Sequence, residues 1–227
     1  MKLLAVDTTE DSCSVALGID DEMRWRFEIA PRRHSELILP MIDELLGEAG
    51  LDVQQLDALA FCRGPGSFTG VRIATGVIQG IALGADLPVA PVSTLAALAQ
   101  GAWRTRGAEQ VLSALDARMG EVYWARCLLQ DGRMVIRGAE RVDKPDAVGS
   151  QAEGCWGIGS GWGAYPGVLQ QQATGIPAAR ILGEWRIHAR DVASLGLAAL
   201  LAGETVAAEE ALPVYVRDNV AVKSVRS

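Results

Sequence analysis

The chain has 227 residues, 49 % of them apolar and 22 % charged, with a net charge of −7 and a pI near 4.9. That length and apolar content fit one large domain or two small ones around a filled core. The acidic balance argues against independent nucleic-acid binding, which runs on cationic neutralisation of phosphates. Cys13, Cys62, Cys127 and Cys155 are widely separated and form no CxxC pair, so neither a zinc site nor a disulfide framework is expected. A reducing compartment fits that usage. No run of about eighteen residues lacks polar or glycine breaks, so no membrane span is expected. The opening run 3–6 reads as a strand with no basic region or cleavage site, which predicts a cytoplasmic protein.

The first elements read as a hairpin. Leu4-Ala5-Val6-Asp7-Thr8-Thr9 ends on a carboxylate and two hydroxyls, turns at Glu10-Asp11-Ser12, and continues through the alternating Cys13-Ser14-Val15-Ala16-Leu17. Asp20-Asp21 then turns into a third strand over 23–29. A helix follows over 37–49, with Ser35 as its cap and His34 just ahead as a surface or capping residue. Leu37, Ile38, Met41, Ile42, Leu45, Leu46 and Ala49 spread over half of its circumference or more, and Pro40 removes one backbone bond near its start.

Strand 58–62 leads into the turn Gly64-Pro65-Gly66-Ser67 and a helix over 69–83; strand 88–92 and a helix capped by Ser93 complete the first half. A strand, a glycine turn and a helix start can cradle an anion, with Asp7, Thr8, Thr9, Gly64 and Gly66 as the candidate nucleotide-binding residues. The same residues can equally form a tight turn, since Asp and Thr side chains bond nearby backbone N–H groups. The turn is no Walker loop, because no lysine follows its glycines, and it is no G-x-G-x-x-G fingerprint.

Helix 69–83 carries Val71, Ile73, Ala74, Val77, Ile78 and Ile81 on one wide arc, with Gly76, Gly80 and Gly84 at i+4 spacing. Both helices exceed the stripe of about 100° that a single sheet would cover. Either the two bury the excess against each other, or they present it to another subunit. The residues at stake are Leu37, Ile38, Met41, Ile42, Leu45, Ile73, Val77 and Ile81.

The plan then repeats. Ser113-Ala114-Leu115-Asp116-Ala117-Arg118 turns at Met119-Gly120-Glu121 into Val122-Tyr123-Trp124-Ala125-Arg126-Cys127, and Asp131-Gly132 leads to a third strand over 134–141. Two units of βββα order are expected, divided within 100–110, giving a lobe 1–104 and a smaller lobe 105–227. After Gly149 the pattern thins to one short strand, a glycine-rich loop and a helix over 192–201. Two histidines, His34 and His188, make no metal pair, and no nucleophile–base pair or G-x-S-x-G elbow appears, so a peptidase reading has least support.

Five stretches together resemble the TsaB (YeaZ) family: Asp7-Thr8-Thr9; His34-Ser35-Glu36 running to Leu39-Pro40-Met41-Ile42; Gly64 through Arg72; Asp116-Ala117-Arg118 with Glu121-Val122-Tyr123; and Pro213-Val214-Tyr215-Val216-Arg217-Asp218. The resemblance implies an α/β fold of the actin, sugar-kinase and Hsp70 ATPase type, with two ribonuclease-H-like βββαβα lobes. It implies a non-catalytic subunit of tRNA threonylcarbamoyladenosine synthesis that binds the TsaD-like transferase through the first two helices. A TsaE-like ATPase would join the assembly, tRNA would be met only through the complex, and the chain alone would form a homodimer. No cofactor is required on this reading, with only weak ATP or ADP binding allowed. TsaD-like proteins carry two metal-binding histidines after the strand matching 88–92; here Ser93-Thr94-Leu95-Ala96-Ala97-Leu98 stands instead.

Overall fold

In the computed structural model, residues 1–149 and 153–217 are described. Strands β1 (Lys2–Asp7), β2 (Ser12–Ile19) and β3 (Glu22–Ile29) form an antiparallel meander. Helix α1 (His34–Ala49) returns the chain, and β4 (Ala58–Cys62) and β5 (Val89–Val92), joined by α2 (Phe68–Ala85), add parallel to β1. The sheet order is β3-β2-β1-β4-β5. After α3 (Thr94–Arg106), the strands β6 (Gln110–Arg118), β7 (Glu121–Gln130), β8 (Arg133–Asp143), β9 (Trp156–Ile158) and β10 (Ile181–Leu182) repeat it as β8-β7-β6-β9-β10. The ribonuclease-H-like duplication is therefore present in both halves.

The second half is fuller than its sequence suggests. Short helices α4 (Ser160–Ala164) and α5 (Pro166–Gln172) interrupt the glycine-rich run, and β10 completes the sheet with two residues. Among the described residues, a turn of 3₁₀ helix, Pro145–Ala147, is what stands where α1 stands in the first half.

The continuous apolar runs of β1 and β4 reflect burial on both faces. Leu4, Val6, Leu59 and Phe61 point to α1 and α2, whereas Ala5, Ala58, Ala60 and Cys62 point the other way. That second face is flat because its side chains are small. Helix α6 (Ala189–Ala202) lies on it so closely that a Cβ on Gly196 would come 2.5 Å from that of Ala60. The last helix of the chain thus covers the first sheet, and its start is tied there by Ala189 N–H donating to Ser14 Oγ at 3.0 Å.

Helix α3 makes the reverse move. It packs on the second sheet, where Ser113 Oγ donates to the Leu95 carbonyl at 2.9 Å and Met134 N–H to Gln100 Oε1 at 2.8 Å. A division after residue 104 follows the chain but cuts α3 and parts α6 from the sheet it covers. One core, from Leu3 to Ala193, runs continuously through both helices. The tail then returns over the first lobe: Val206 bridges Val89, Val214 N–H donates to the Arg63 carbonyl, and Arg217 reaches Glu121 and the Ala117 carbonyl in the second. Asp218 lies outside the described residues.

By length and composition alone α2 is long and apolar enough to cross a bilayer, because its interior glycines interrupt the apolar run without making it polar. In the fold it is a sheet-packed helix, with Ala74, Ile78 and Ala82 in the core beneath it.

Candidate functional site

The glycine turn closes on its own chain. Ser67 caps α2, its Oγ accepting from Gly70 N–H at 3.1 Å, while Ser67 N–H donates to the Thr9 carbonyl at 2.7 Å. Thr8 Oγ1 donates to the Gly70 carbonyl at 2.7 Å. A Cβ on Gly66 or Gly70 would meet the Thr9 or Thr8 carbonyl at 2.7 or 1.9 Å, so only glycine lets the β1–β2 turn seat against the helix start. Gly64 has φ +105°, in the region that favours glycine, and leaves room for the Val214 carbonyl.

Asp7 is wholly buried beneath this junction. Its Oδ1 accepts from Thr9 Oγ1 at 2.6 Å and from Thr9 N–H at 3.3 Å, and burial holds the carboxyl above its usual range. The five candidate residues are thus brought together, but Asp7, Thr8 and Gly64 stand behind the turn. Thr9 and Gly66 alone of the five line the space in front of it.

That space is a cleft of about 1070 Å³ between the lobes, also lined by Glu10, Phe68, Arg72, Asp116, Ser160 and Arg186. Its back is stitched from both sides. Ser160 Oγ donates to Glu10 Oε1 at 2.5 Å and accepts from Asp116 N–H at 3.0 Å. Arg186 forks onto Asp11 at 2.9 and 3.0 Å, and Arg63 Nη2 meets Glu140 at 2.9 Å, with Ser93 Oγ on the other carboxylate oxygen. Burial pushes the Glu10 carboxyl up to about 7. These bridges were not read from the sequence. Their partners lie 44 to 175 positions apart, and the polar turn after β1 was the one local sign of them.

The histidines divide. His188 caps α6, its Nδ1 accepting from Arg190 N–H at 3.1 Å, and burial lowers it to about 4. His34 is a correction: it is the first residue of α1 and is buried at 7 % exposure, while Ser35 makes no cap bond. The backbone enters the helix two residues early, at Arg33, which leaves His34 facing inward.

The apolar residues proposed for an interface also divide. Ile38, Met41, Ile42 and Leu45 are core residues, none more than 8 % exposed, wedged with Leu59, Phe61 and Ile78 between α1 and the first sheet. The wide arc of α1 is spent inside the lobe. Leu37, Ile73, Val77 and Ile81 remain half-buried, and Leu83 beyond them is 77 % exposed. Gly76, Gly80 and Gly84 share the outer stripe of α2, and among the described residues a Cβ on any of them would have no atom beyond the helix's own neighbouring backbone within 4 Å. The smooth strip faces open space.

Two lobes of this topology, clasped across a cleft, define a protein of the actin, sugar-kinase and Hsp70 ATPase type. Residues 28–159 match the family model for TsaD, tRNA N6-adenosine threonylcarbamoyltransferase. The chain is 44 % identical to the tRNA threonylcarbamoyladenosine biosynthesis protein TsaB of Escherichia coli (strain K12), over 98 % of this chain and 97 % of that one. It is 40 % identical to TsaB of Haemophilus influenzae, over 98 % and 96 %. YeaZ from Pseudomonas aeruginosa superposes with a TM-score of 0.85 at 45 % identity, covering 94 % of this chain and 99 % of that structure. The chain belongs to the TsaB family.

Proposed function

We propose that this chain is the non-catalytic scaffold of a complex that transfers threonylcarbamoyl to the adenosine beside the anticodon, and that it holds a TsaD-like transferase through the outer face of α2. The observation that carries this is the stripe Ile73, Gly76, Val77, Gly80, Ile81 and Gly84: apolar, low in relief, its apolar side chains only half-buried and its glycines met by no side chain among the described residues. Each interior glycine costs the helix about 1 kcal/mol against alanine, and no described residue packs on them to offset it. A partner helix lying in the strip supplies the missing contact. Alone, the same stripe suits a homodimer, because a two-fold interface uses one surface twice. A TsaE-like ATPase and tRNA join through the complex, which places the chain in the cytoplasm.

Co-purification of tagged chain with the transferase tests this. Val77→Glu, and separately Gly80→Leu, are expected to fold and to lose the transferase at least tenfold, since each puts a charge or bulk into an apolar contact. Folded variants that retain it sink the scaffold reading.

A nucleotide switch of the same fold is the second reading, favoured by the cleft volume beside Thr9 and Gly66. Calorimetry with ATP or ADP and Mg²⁺ separates the two, tight binding lost in Thr9→Val favouring the switch.

A further inference from the structure

The outer face of the second sheet carries a cluster of arginines that the scaffold role does not use. In the β7–β8 register, Arg126 stands opposite Arg137, Trp124 opposite Arg141 and Gln130 opposite Arg133. An irregularity around Gly138 inserts two extra residues into β8 and so leaves all four arginines on one face. Arg137 and Arg141 are exposed; Arg126 and Arg133 are half-buried.

Amides and an indole ring, in place of acids, hold three of these side chains. Arg126 Nη2 donates to Gln110 Oε1 and Arg137 Nη2 to Gln130 Oε1, each at 3.1 Å, and Arg141 lies over the Trp124 ring at 5.9 Å. Among the described residues no carboxylate lies within 4 Å of any of the four. Arg24, Arg26, Arg33, Arg63, Arg104, Arg118, Arg186 and Arg217 are all paired with acids. Glu140, in the irregular part of β8, turns away to Arg63 and Ser93, and Asp143 is engaged by Trp124 Nε1. A chain with a net charge of −7 therefore keeps one face cationic.

Protection of an edge strand is the alternative, since charge on β8 discourages pairing with other chains. It does not account for Arg126 on the interior strand β7, nor for amides where carboxylates would serve equally well.

We infer that this face binds the phosphate backbone of an RNA. Guanidinium forks match phosphate oxygens, and the strand rise sets Arg133 and Arg137 roughly 13 Å apart, a spacing that tracks a backbone without reading bases. The inference rests on the reading that the chain works in a complex acting on tRNA, and it adds a contact made by this subunit itself.

The test is Arg137→Glu with Arg141→Glu against a control of equal charge change, Arg32→Glu with Arg106→Glu. Fluorescence anisotropy with a tRNA transcript is read over a salt series on the assembly with the transferase. The face variant is expected to co-purify normally, to bind tRNA about tenfold more weakly, and to lower the salt slope by about two, while the control matches the parent. A face variant with the parent's affinity and slope overturns the inference, as does an equal loss in both pairs. If the parent chain fails to assemble with the transferase, the scaffold reading has failed separately. The same comparison is then made on the chain alone at low salt, where absence of binding, or binding to anionic vesicles only, overturns it.

Discussion

Glu10 is the residue whose chemistry departs most from what its neighbours in sequence suggest. It sits in a polar turn, yet the second lobe closes over it, and burial raises its carboxyl to about 7 where about 4.5 is usual, against the opposing effect of the hydrogen bond from Ser160. An acid whose folded-state pKa is raised stabilises the fold most when protonated. That contribution is complete below about 4.5 and is lost as pH rises through about 7. Glu10→Gln keeps the bridge without the charge. Its advantage over the parent should grow by about 2 kcal/mol between pH 5 and pH 8 in urea unfolding. A difference that does not change with pH would show that the site is wetter than its burial implies. Ile42 makes the complementary point: at 2 % exposure, Ile42→Glu should cost about 4 kcal/mol and unfold the chain, so it cannot serve as an interface probe.

Helix α2 shows one residue type answering two demands within a single element. Gly70 is fixed by the fold, because a Cβ would lie 1.9 Å from the Thr8 carbonyl; Gly70→Ala should cost about 3 kcal/mol by prising the β1–β2 turn from the helix start. Gly76, two turns on, meets nothing. Gly76→Ala should stabilise the isolated chain by about 0.5–1 kcal/mol and at the same time weaken capture of the transferase. Thermal melts of the two variants with one co-purification assay check both. A Gly76→Ala chain that is stabilised and still binds fully would mean that the strip is not a contact. The period of α2 was legible in the sequence, as were the strand ends and the Ser93 cap; the Ser67 cap was not read. Which part of the apolar arc lay inward was not, since a helix wheel gives angles but no neighbours.

Across the whole molecule, the exchange of helices makes two lobes into one cooperative unit. Arg104 of α3 forks onto Asp191 of α6 at 2.7 and 3.0 Å, and Asp191 is only 2 % exposed. Arg104→Met leaves that buried carboxylate without its partner and should cost about 3 kcal/mol. Both sheets are expected to melt together in the variant as in the parent, followed by calorimetry and by tryptophan fluorescence from the second lobe. Two separated transitions would contradict the shared core.

The sequence by itself determined the duplicated strand order, the glycine turn, the reduced cysteines and the family, because these rest on local periodicity, turn chemistry and motifs in order. It missed β10, whose two residues carry no period, and it assigned α6 to the half that precedes it in the chain. Only the tertiary structure decided where each helix packs, that Ile38, Ile42 and Leu45 belong to the core, and that the turn beside Asp7 is filled by Thr8 and Thr9. Nor does a net charge describe a surface: an acidic total conceals Arg126, Arg133, Arg137 and Arg141 gathered on one face by register alone. Burial and juxtaposition arise from contacts between residues distant in the chain, and those are set when the sheets and helices pack.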